Sequence, residues 1–336
     1  MQLEIYTDSS GFATLKADWN TLLERSITPT IFLTWEWQTV WWEHLGEGDL
    51  FVIAGRAEDG RLAGVTALFC SITAGGAREL SFVGCADVSD YLDVIVTPDE
   101  AEEFYAALLD WLRSPSAPDW DRLDLCNIPE ASPTHTRLAA LAQARGYPVK
   151  VALDDVCPLI RLPSTWDDYL AALDKKERHE IRRKIRKAER EAQVDWHIVD
   201  DHLDLETELD DFLVLHAQSK VEKRRFMDDR MRAFFHASSR LLADRGWLQL
   251  AFIQLDGRKA ASMLNFVYRD AVLVYNSGFD PDAFPALSPG IVLLAYCIQY
   301  AIEHGYRLFD FLRGDEDYKY RFGGKGTRVL RLTISK

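Results

Sequence analysis

The sequence predicts an α/β (α+β) chain built from two copies of one domain, and three observations predict it. At 336 residues, with 48% hydrophobic residues and ten Trp, the chain is long enough for two domains with sizeable cores. Asp59-Gly60-Arg61 and Asp256-Gly257-Arg258 lie 197 residues apart, each between two apolar strand-like runs. FVIAGRAEDGRLAGVTALF aligns with LQLAFIQLDGRKAASMLNF without a gap. After each hairpin come a further strand region, a helix and a strand with one Asp between apolar residues: Asp124 in RLDLC and Asp310 in LFDFL. That shared order suggests duplication, with domains at 1–150 and 151–336. Asp-Gly is also the commonest hairpin signal, so two unrelated hairpins are the alternative.

In chain order, the first-half hairpin is followed by the strands ELSFVG and YLDVIV, then a helix over 99–113. Thr97-Pro98-Asp99-Glu100 opens that helix as a capping box with Pro in the first turn. One long helix is predicted over 165–193, with Leu170, Leu173, Ile181, Ile185, Ala188 and Ala192 as most of an apolar stripe. Two more helices, about 203–220 and 228–244, frame a basic turn with Lys220, Lys223, Arg224 and Arg225. The second hairpin leads into the strand Ala271–Phe279. A helix over 290–304 follows, then a strand over 308–312 and the segment DEDYKYRFGG.

The two repeated helices start differently. The first carries Asp99, Glu100, Glu102 and Glu103, which repel a phosphate. The second opens Leu287-Ser288-Pro289-Gly290 and has no acid before Glu303. Ser288 suits the cap, Pro289 the first helical position, and Gly290 opens the backbone to close approach. Free N–H groups and the helix dipole there suit an anion, so the donor site is expected in the second half; a plain capped core helix is the alternative.

The formal charge is −14, which argues against general nucleic-acid or anionic-membrane binding. Against that background the 175–191 segment has nine Lys/Arg and four Glu, with Arg178, Arg182, Arg186 and Arg190 recurring every four residues. It reads either as a solvated face or as an anion clamp for a substrate phosphate or carboxylate. Five scattered cysteines without CxxC read as reduced, mostly buried thiols of a cytoplasmic protein. The segment MQLEIYTDSS has no signal-peptide features, and the apolar run 291–302 is too short for a membrane span. The eight His show no metal spacing, so no metal is expected. Gly323-Gly324-Lys325-Gly326-Thr327 is no phosphate loop, because no helix pattern follows.

Four stretches together resemble the GNAT acyltransferase superfamily in the tandem form of the FemABX peptidyltransferases, closest to CelD-like or BioF-type acetyltransferases. They are FLTWEWQTVWWEHLG, HEIRRKIRKAEREAQV, SPGIVLLAYCIQYAIEHGYRLFDFLRG and DYKYRFGG. Each is weak alone, and their order carries the resemblance from about Ile31 to Leu332. It implies tandem GNAT-like domains, each a mixed twisted sheet flanked by helices. It also implies direct acyl or aminoacyl transfer to an amine without metal. The donor would lie between the strands 271–279 and 308–312, with its pyrophosphate at Ser288, Gly290 and Ile291. Backbone at Tyr275, Asn276 and Ser277 would hold the carbonyl oxygen.

Lys319 aligns with a lysine that FemABX enzymes use near the transferred group. Asp310, in an apolar strand, is a candidate base, or else a structural partner of Arg313 or Lys319. Tyr318 and Tyr320 fall where many GNAT enzymes place the acid for the thiolate, with aromatic packing as the alternative. Acceptor candidates are Trp37, Asp90 and Tyr91 in the first half, with Arg178, Arg182, Arg186 and Arg224 in the second. The expected co-substrate is acetyl-CoA or another acyl-CoA, and the acceptor a small molecule or cell-envelope precursor. Charged tRNA is the alternative donor, and a non-catalytic binding module the alternative role.

Overall fold

The computed structural model describes residues 1–85, 88–200 and 202–336 and divides the chain into two compact units. The first comprises residues 1–156 and 328–336, the second residues 157–327. The closing segment expected with the second domain therefore counts with the first.

The first unit opens with β1 (Gln2–Tyr6), α1 (Ser10–Glu24) and α2 (Trp35–Leu45). The hairpin β2 (Asp49–Arg56) and β3 (Leu62–Ile72) turns at Gly60, whose φ of +83° suits glycine. Then come β4 (Arg78–Phe82), β5 (Ile95–Val96), α3 (Ala101–Trp111), β6 (Arg122–Pro129) and α4 (Ala139–Ala144). The helix α3 starts later than the capping box suggested: Glu100 is the cap residue and makes no side-chain cap bond.

The strand β7 (Val149–Arg161) carries the chain into the second unit. There α5 (Trp166–Ala172) and α6 (Lys175–Glu191) replace the single long helix expected. The break comes at Leu173 and Asp174, both extended, which leaves Tyr169 and Leu170 buried before the break and Ile181 and Ala188 after it. Next are β8 (Val194–Ile198), α7 (Leu205–Ser219), α8 (Val221–Phe226) and α9 (Asp229–Asp244). The hairpin β9 (Leu248–Leu255) and β10 (Arg258–Tyr268) leads into β11 (Ala271–Phe279). The chain continues through α10 (Pro289–Glu303), β12 (Leu308–Asp310), α11 (Asp317–Arg321) and β13 (Lys325–Ser335).

Within each unit the strand order repeats. In the first, β1-β2-β3-β4-β6 is antiparallel up to β4, and β4 and β6 are parallel across the α3 crossover. In the second, β8-β9-β10-β11-β12 follows the same rule, with β11 and β12 parallel across α10. An antiparallel strand closes each: β13 on β6, and the end of β7 on β12. Two hairpins without common origin do not account for two matching crossovers, so duplication is the better reading.

The first core is aromatic, with Trp19, Trp37, Trp41, Trp120 and Phe104 fully buried. The second packs α10 on the sheet through Val292, Leu293, Ile298 and Ala301 against Ala261, Val272 and Phe309. The expectation of reduced thiols is corrected at one pair: Cys85 and Cys126 are joined as a disulfide, while Cys70, Cys157 and Cys297 are free. The parallel neighbours β4 and β6, with Ser81 opposite Asp124, run side by side and deliver the two cysteines together.

Candidate functional site

The strand β11 pairs with β12 only from Ala271 to Leu273, opposite Leu308 to Asp310. Beyond that β12 ends and β11 runs on to Phe279, so the two strands part. On its other edge β11 stays paired with β10 through a bulge. Asn276 faces Leu264 and Val274 faces Asn265, which leaves Tyr275 as the extra residue. Tyr275 lies 5.7 Å from Phe235 and stacks on Phe266 at 4.5 Å. Asn276 Oδ1 lies 3.1 Å from His216 Nε2. Both side chains are thus committed to packing and to His216, while Ser277 of the expected trio lines a cavity. At Gly278 the helix α7 passes so close that a Cβ would fall 2.3 Å from the His216 nitrogen, which only glycine permits.

Two cavities open at this end of β11. The first, about 370 Å³, is lined by Ser277 and Phe279 of β11, by Ser288, Gly290 and Ile291 at the start of α10, and by Tyr318. Ser288 does not cap α10 with its side chain, contrary to expectation. Its backbone is left-handed, with φ 52° and ψ 55°, and no side-chain cap bond forms. That conformation costs a non-glycine residue about 1–2 kcal/mol, and such strain gathers at ligand sites. Ser288's carbonyl takes the N–H groups of Ile291 and Val292, and the Gly290 N–H has no partner among the described residues. A Cβ on Gly290 would meet nothing within 4 Å. With no acid in the first turn, the helix start is open and electropositive.

The second cavity, about 490 Å³, is lined by Lys220 and Lys223, by Glu316, Asp317, Tyr318 and Arg321, and by Ser277 and Phe279. It shares Ser277, Phe279 and Tyr318 with the first. Lys223 Nζ donates to the Ser277 carbonyl. Burial, with the charge of Lys220 beside it, pushes the Lys223 ammonium down to about 8. His216 behind it is held down to about 4, mainly by burial and then by Lys223, and its Nδ1 has no partner among the described residues. Burial raises the Tyr318 phenol, and Glu316 adds to that.

Three expected catalytic residues hold the connection between β12 and α11. Asp310 is buried, and its Oδ1 accepts from the Leu312 N–H at 2.8 Å, fixing Leu312 at φ 56°. Lys319 is 2% exposed. Its Nζ donates to the carbonyls of Leu312, Arg313 and Gly314 at 3.2, 2.7 and 3.0 Å and pairs with Glu316 at 2.9 Å. All of its ammonium donors are engaged in this loop. Tyr320 is exposed, bonds Asp315 and lines neither cavity.

The basic face of α6 forms a groove of about 660 Å³ lined by Arg178, Arg182 and Arg186 together with Lys175, Lys187 and Arg190. Lys187 Nζ donates to the Ala286 carbonyl at 2.9 Å, two residues before Ser288. Arg182 reaches Asp167 at 3.7 Å. Arg224 is exposed and lines neither cavity. In the first unit Trp37, an acceptor candidate, lies in the core. It is 1% exposed, donates Nε1 to Ser89 Oγ at 2.9 Å and packs edge-on against Phe32. Tyr91 is buried against Phe32, and Asp90 is half-buried. Lys223 and His216 were not singled out from the sequence. Lys223 sits in a basic run where spacing does not tell the buried lysine from its exposed neighbours.

Residues 175–320 match the family described as Acetyltransferase (GNAT) domain. Residues 175–320 thus carry a GNAT acetyltransferase domain, which supports an N-acyltransferase. This match spans α6 through most of α11 and contains the lining of both cavities except Arg321. No curated protein sequence matches. The fold resembles the crystal structure of FemX over 99% of this chain and 97% of that one, with a TM-score of 0.66 at 13% identity. It resembles the C-terminal domain of a putative lysylphosphatidylglycerol synthetase from Agrobacterium fabrum over 97% and 92%, with a TM-score of 0.59 at 13% identity. A tandem GNAT protein from the clavulanic acid pathway aligns over 100% and 99%, with a TM-score of 0.50 at 14% identity. The domain match and these shared folds together support a GNAT group related to FemABX. Among the described residues there is no cluster that could hold a metal ion, and no helix long and apolar enough to cross a membrane.

Proposed function

We propose that this acyltransferase moves an acyl group from acyl-CoA to an amine by direct attack in a ternary complex. The observation that carries this reading is the junction of the two cavities at Ser277, Phe279 and Tyr318. The first cavity, ending at the open start of α10, suits a donor with a pyrophosphate and an apolar arm. The second, which holds Lys223 with its ammonium pushed down to about 8, suits the acceptor.

Each chemical task then has a residue. The donor pyrophosphate meets the Gly290 N–H and the dipole of α10. In an extended strand one residue's N–H and C=O point to the same edge, so the Ser277 N–H faces the side on which its carbonyl meets Lys223. That N–H is the oxyanion donor. Lys223 is the base: at about 8, roughly a tenth of it is neutral at pH 7. Tyr318, facing both cavities, protonates the thiolate. Asp310 and Lys319 fix the loop that carries Tyr318 rather than reacting themselves. In balance, an acceptor ammonium gives one proton to Lys223 and the free amine attacks the thioester carbon. The C–S bond breaks as the C–N bond forms, and the thiolate takes the Tyr318 proton. Tyr318 recovers the second proton from the nitrogen, and Lys223 releases its proton to water.

The first test is calorimetric titration with coenzyme A and acetyl-CoA, using Gly290→Glu as the control. A Cβ at this position meets nothing within 4 Å, so the fold is expected to survive while binding is lost. Absence of binding to the folded wild-type protein would overturn the acyl-CoA reading. A second reading takes charged tRNA as donor. The basic groove on α6, tied by Lys187 to the loop before α10, favours it. Salt-sensitive tRNA binding that competes with acetyl-CoA would select it.

A further inference from the structure

The charges around the acceptor cavity are not balanced, and the imbalance has a direction. Lys220, Lys223 and Arg321 line it against Glu316 and Asp317. Glu316 is already paired with Lys319 at 2.9 Å. Asp317 is 91% exposed and reaches Arg321 only at 3.8 Å, a contact of little energetic weight. The Lys220 ammonium has no carboxylate partner among the described residues, and its charge helps drive the proton from Lys223. A cavity that loosens one lysine's hold on its proton is therefore bordered by two cations without firm counter-ions.

Resting on the transferase reading above, we propose that the acceptor is an amine that also carries an anionic group, a carboxylate or a phosphate, which Lys220 and Arg321 hold. Such an acceptor places each charge where the cavity has its complement. The anion meets the two uncommitted cations. The ammonium meets Asp317 and gives its proton to Lys223. Phe279, 38% exposed and shared by both cavities, covers the carbon skeleton between them. A neutral amine would leave Lys220 and Arg321 unanswered and bind only through its nitrogen. Acceptors of this kind are zwitterions of the amino-acid or aminoalkyl-phosphate type.

The test uses the full chain with acetyl-CoA and reads thiol release for matched triads of primary amines: carboxylate, phosphate and neutral amide on one skeleton. One anionic arm of a triad is expected to exceed its amide in kcat/KM by about tenfold, the range two partly exposed charge pairs supply. Which arm leads separates carboxylate from phosphate. In the Lys220→Gln/Arg321→Gln double variant the ratio is expected to fall towards one. Amides that match or beat their anionic partners, or a ratio unchanged in the double variant, would overturn the proposal. Turnover of no triad by a protein that still binds acetyl-CoA would also overturn it and leave the donor site standing. Loss of acetyl-CoA binding itself would instead remove the reading beneath it.

Discussion

Lys223 makes the sharpest prediction, because its proposed role and its environment fix a pH dependence in advance. An ordinary lysine near 10.5 is about 0.03% neutral at pH 7. With Lys223 at about 8 the neutral share is about a tenth, a gain of about 300-fold in available base. The sign follows from the base being the uncharged form. kcat/KM is expected to rise about tenfold per pH unit up to about 8, then flatten until the acceptor amine itself titrates. Replacing Lys223 with Met is expected to cost about 10²–10⁴ in kcat and to remove the limb near 8, with acetyl-CoA affinity kept. Lys220→Gln, which removes the neighbouring positive charge, is expected to move the limb to higher pH. The assay is thiol release from pH 6 to 9.5 at saturating acetyl-CoA. A limb near 8 that persists in Lys223→Met would refute the assignment of Lys223 as base.

Four further outcomes can be checked independently. His216 is 1% exposed and held at about 4 in the folded chain against 6.5 unfolded, so the unfolded state binds the extra proton between those values. Stability is expected to fall by up to about 3 kcal/mol as pH drops from 6.5 to 4, and His216→Asn to flatten that dependence in thermal melts. Gly278→Ala places a Cβ 2.3 Å from the α7 backbone, and a loss of about 3 kcal/mol or more is expected in urea unfolding. Lys319→Met leaves three carbonyls and Glu316 without their cation, with an expected loss of about 3–5 kcal/mol and a matching fall in melting temperature. A Lys319→Met protein of unchanged stability but without activity would return Lys319 to the chemistry. Tyr318→Phe is expected to lower kcat while leaving acetyl-CoA binding intact, measured by calorimetry beside thiol release.

Legibility in the sequence followed the range of the signal. The hairpins at Asp59-Gly60 and Asp256-Gly257, the strand 271–279 and the helix from Pro289 were readable because turn chemistry and hydrophobic period act over a few residues. The break between α5 and α6 was not, because no Gly or Pro marks it and the apolar stripe continues across Leu173. The pairing of Cys85 with Cys126 depends on β4 and β6 being parallel neighbours, a fact of topology rather than spacing. At the site, the open start of α10 was legible from Ser-Pro-Gly. The difference between Lys319 and Lys223 was not. Both are lysines near aromatic residues, and only packing shows that one is enclosed by carbonyls while the other faces a cavity with its charge unfavoured.

The duplication gives an internal comparison that bears on which half carries the donor. Each unit presents a helix between the fourth strand of its sheet order and a parallel fifth, so both have the backbone for an anion site. Their first turns differ in charge. The cap residue of α3 is Glu100, followed by Glu102 and Glu103, and Glu100 is paired with Arg61. Three carboxylates at a helix start favour the helix itself through its dipole and repel a phosphate by more than one free N–H returns. The start of α10 has the opposite character: no acid, a strained Ser288, a Pro without an N–H, and Gly290 with open space before it. As a plain helix start it is poor, since nothing caps it. Asp228 at the start of α9 shows the conventional alternative, a carboxylate that accepts from the Met231 N–H. We infer that the uncapped start of α10 is kept for a ligand that supplies the missing partner. On that basis, restoring a conventional cap with Ser288→Asp is expected to leave the helix intact and weaken acetyl-CoA binding at least tenfold. If the same change left binding untouched, the donor's phosphates would have to sit elsewhere.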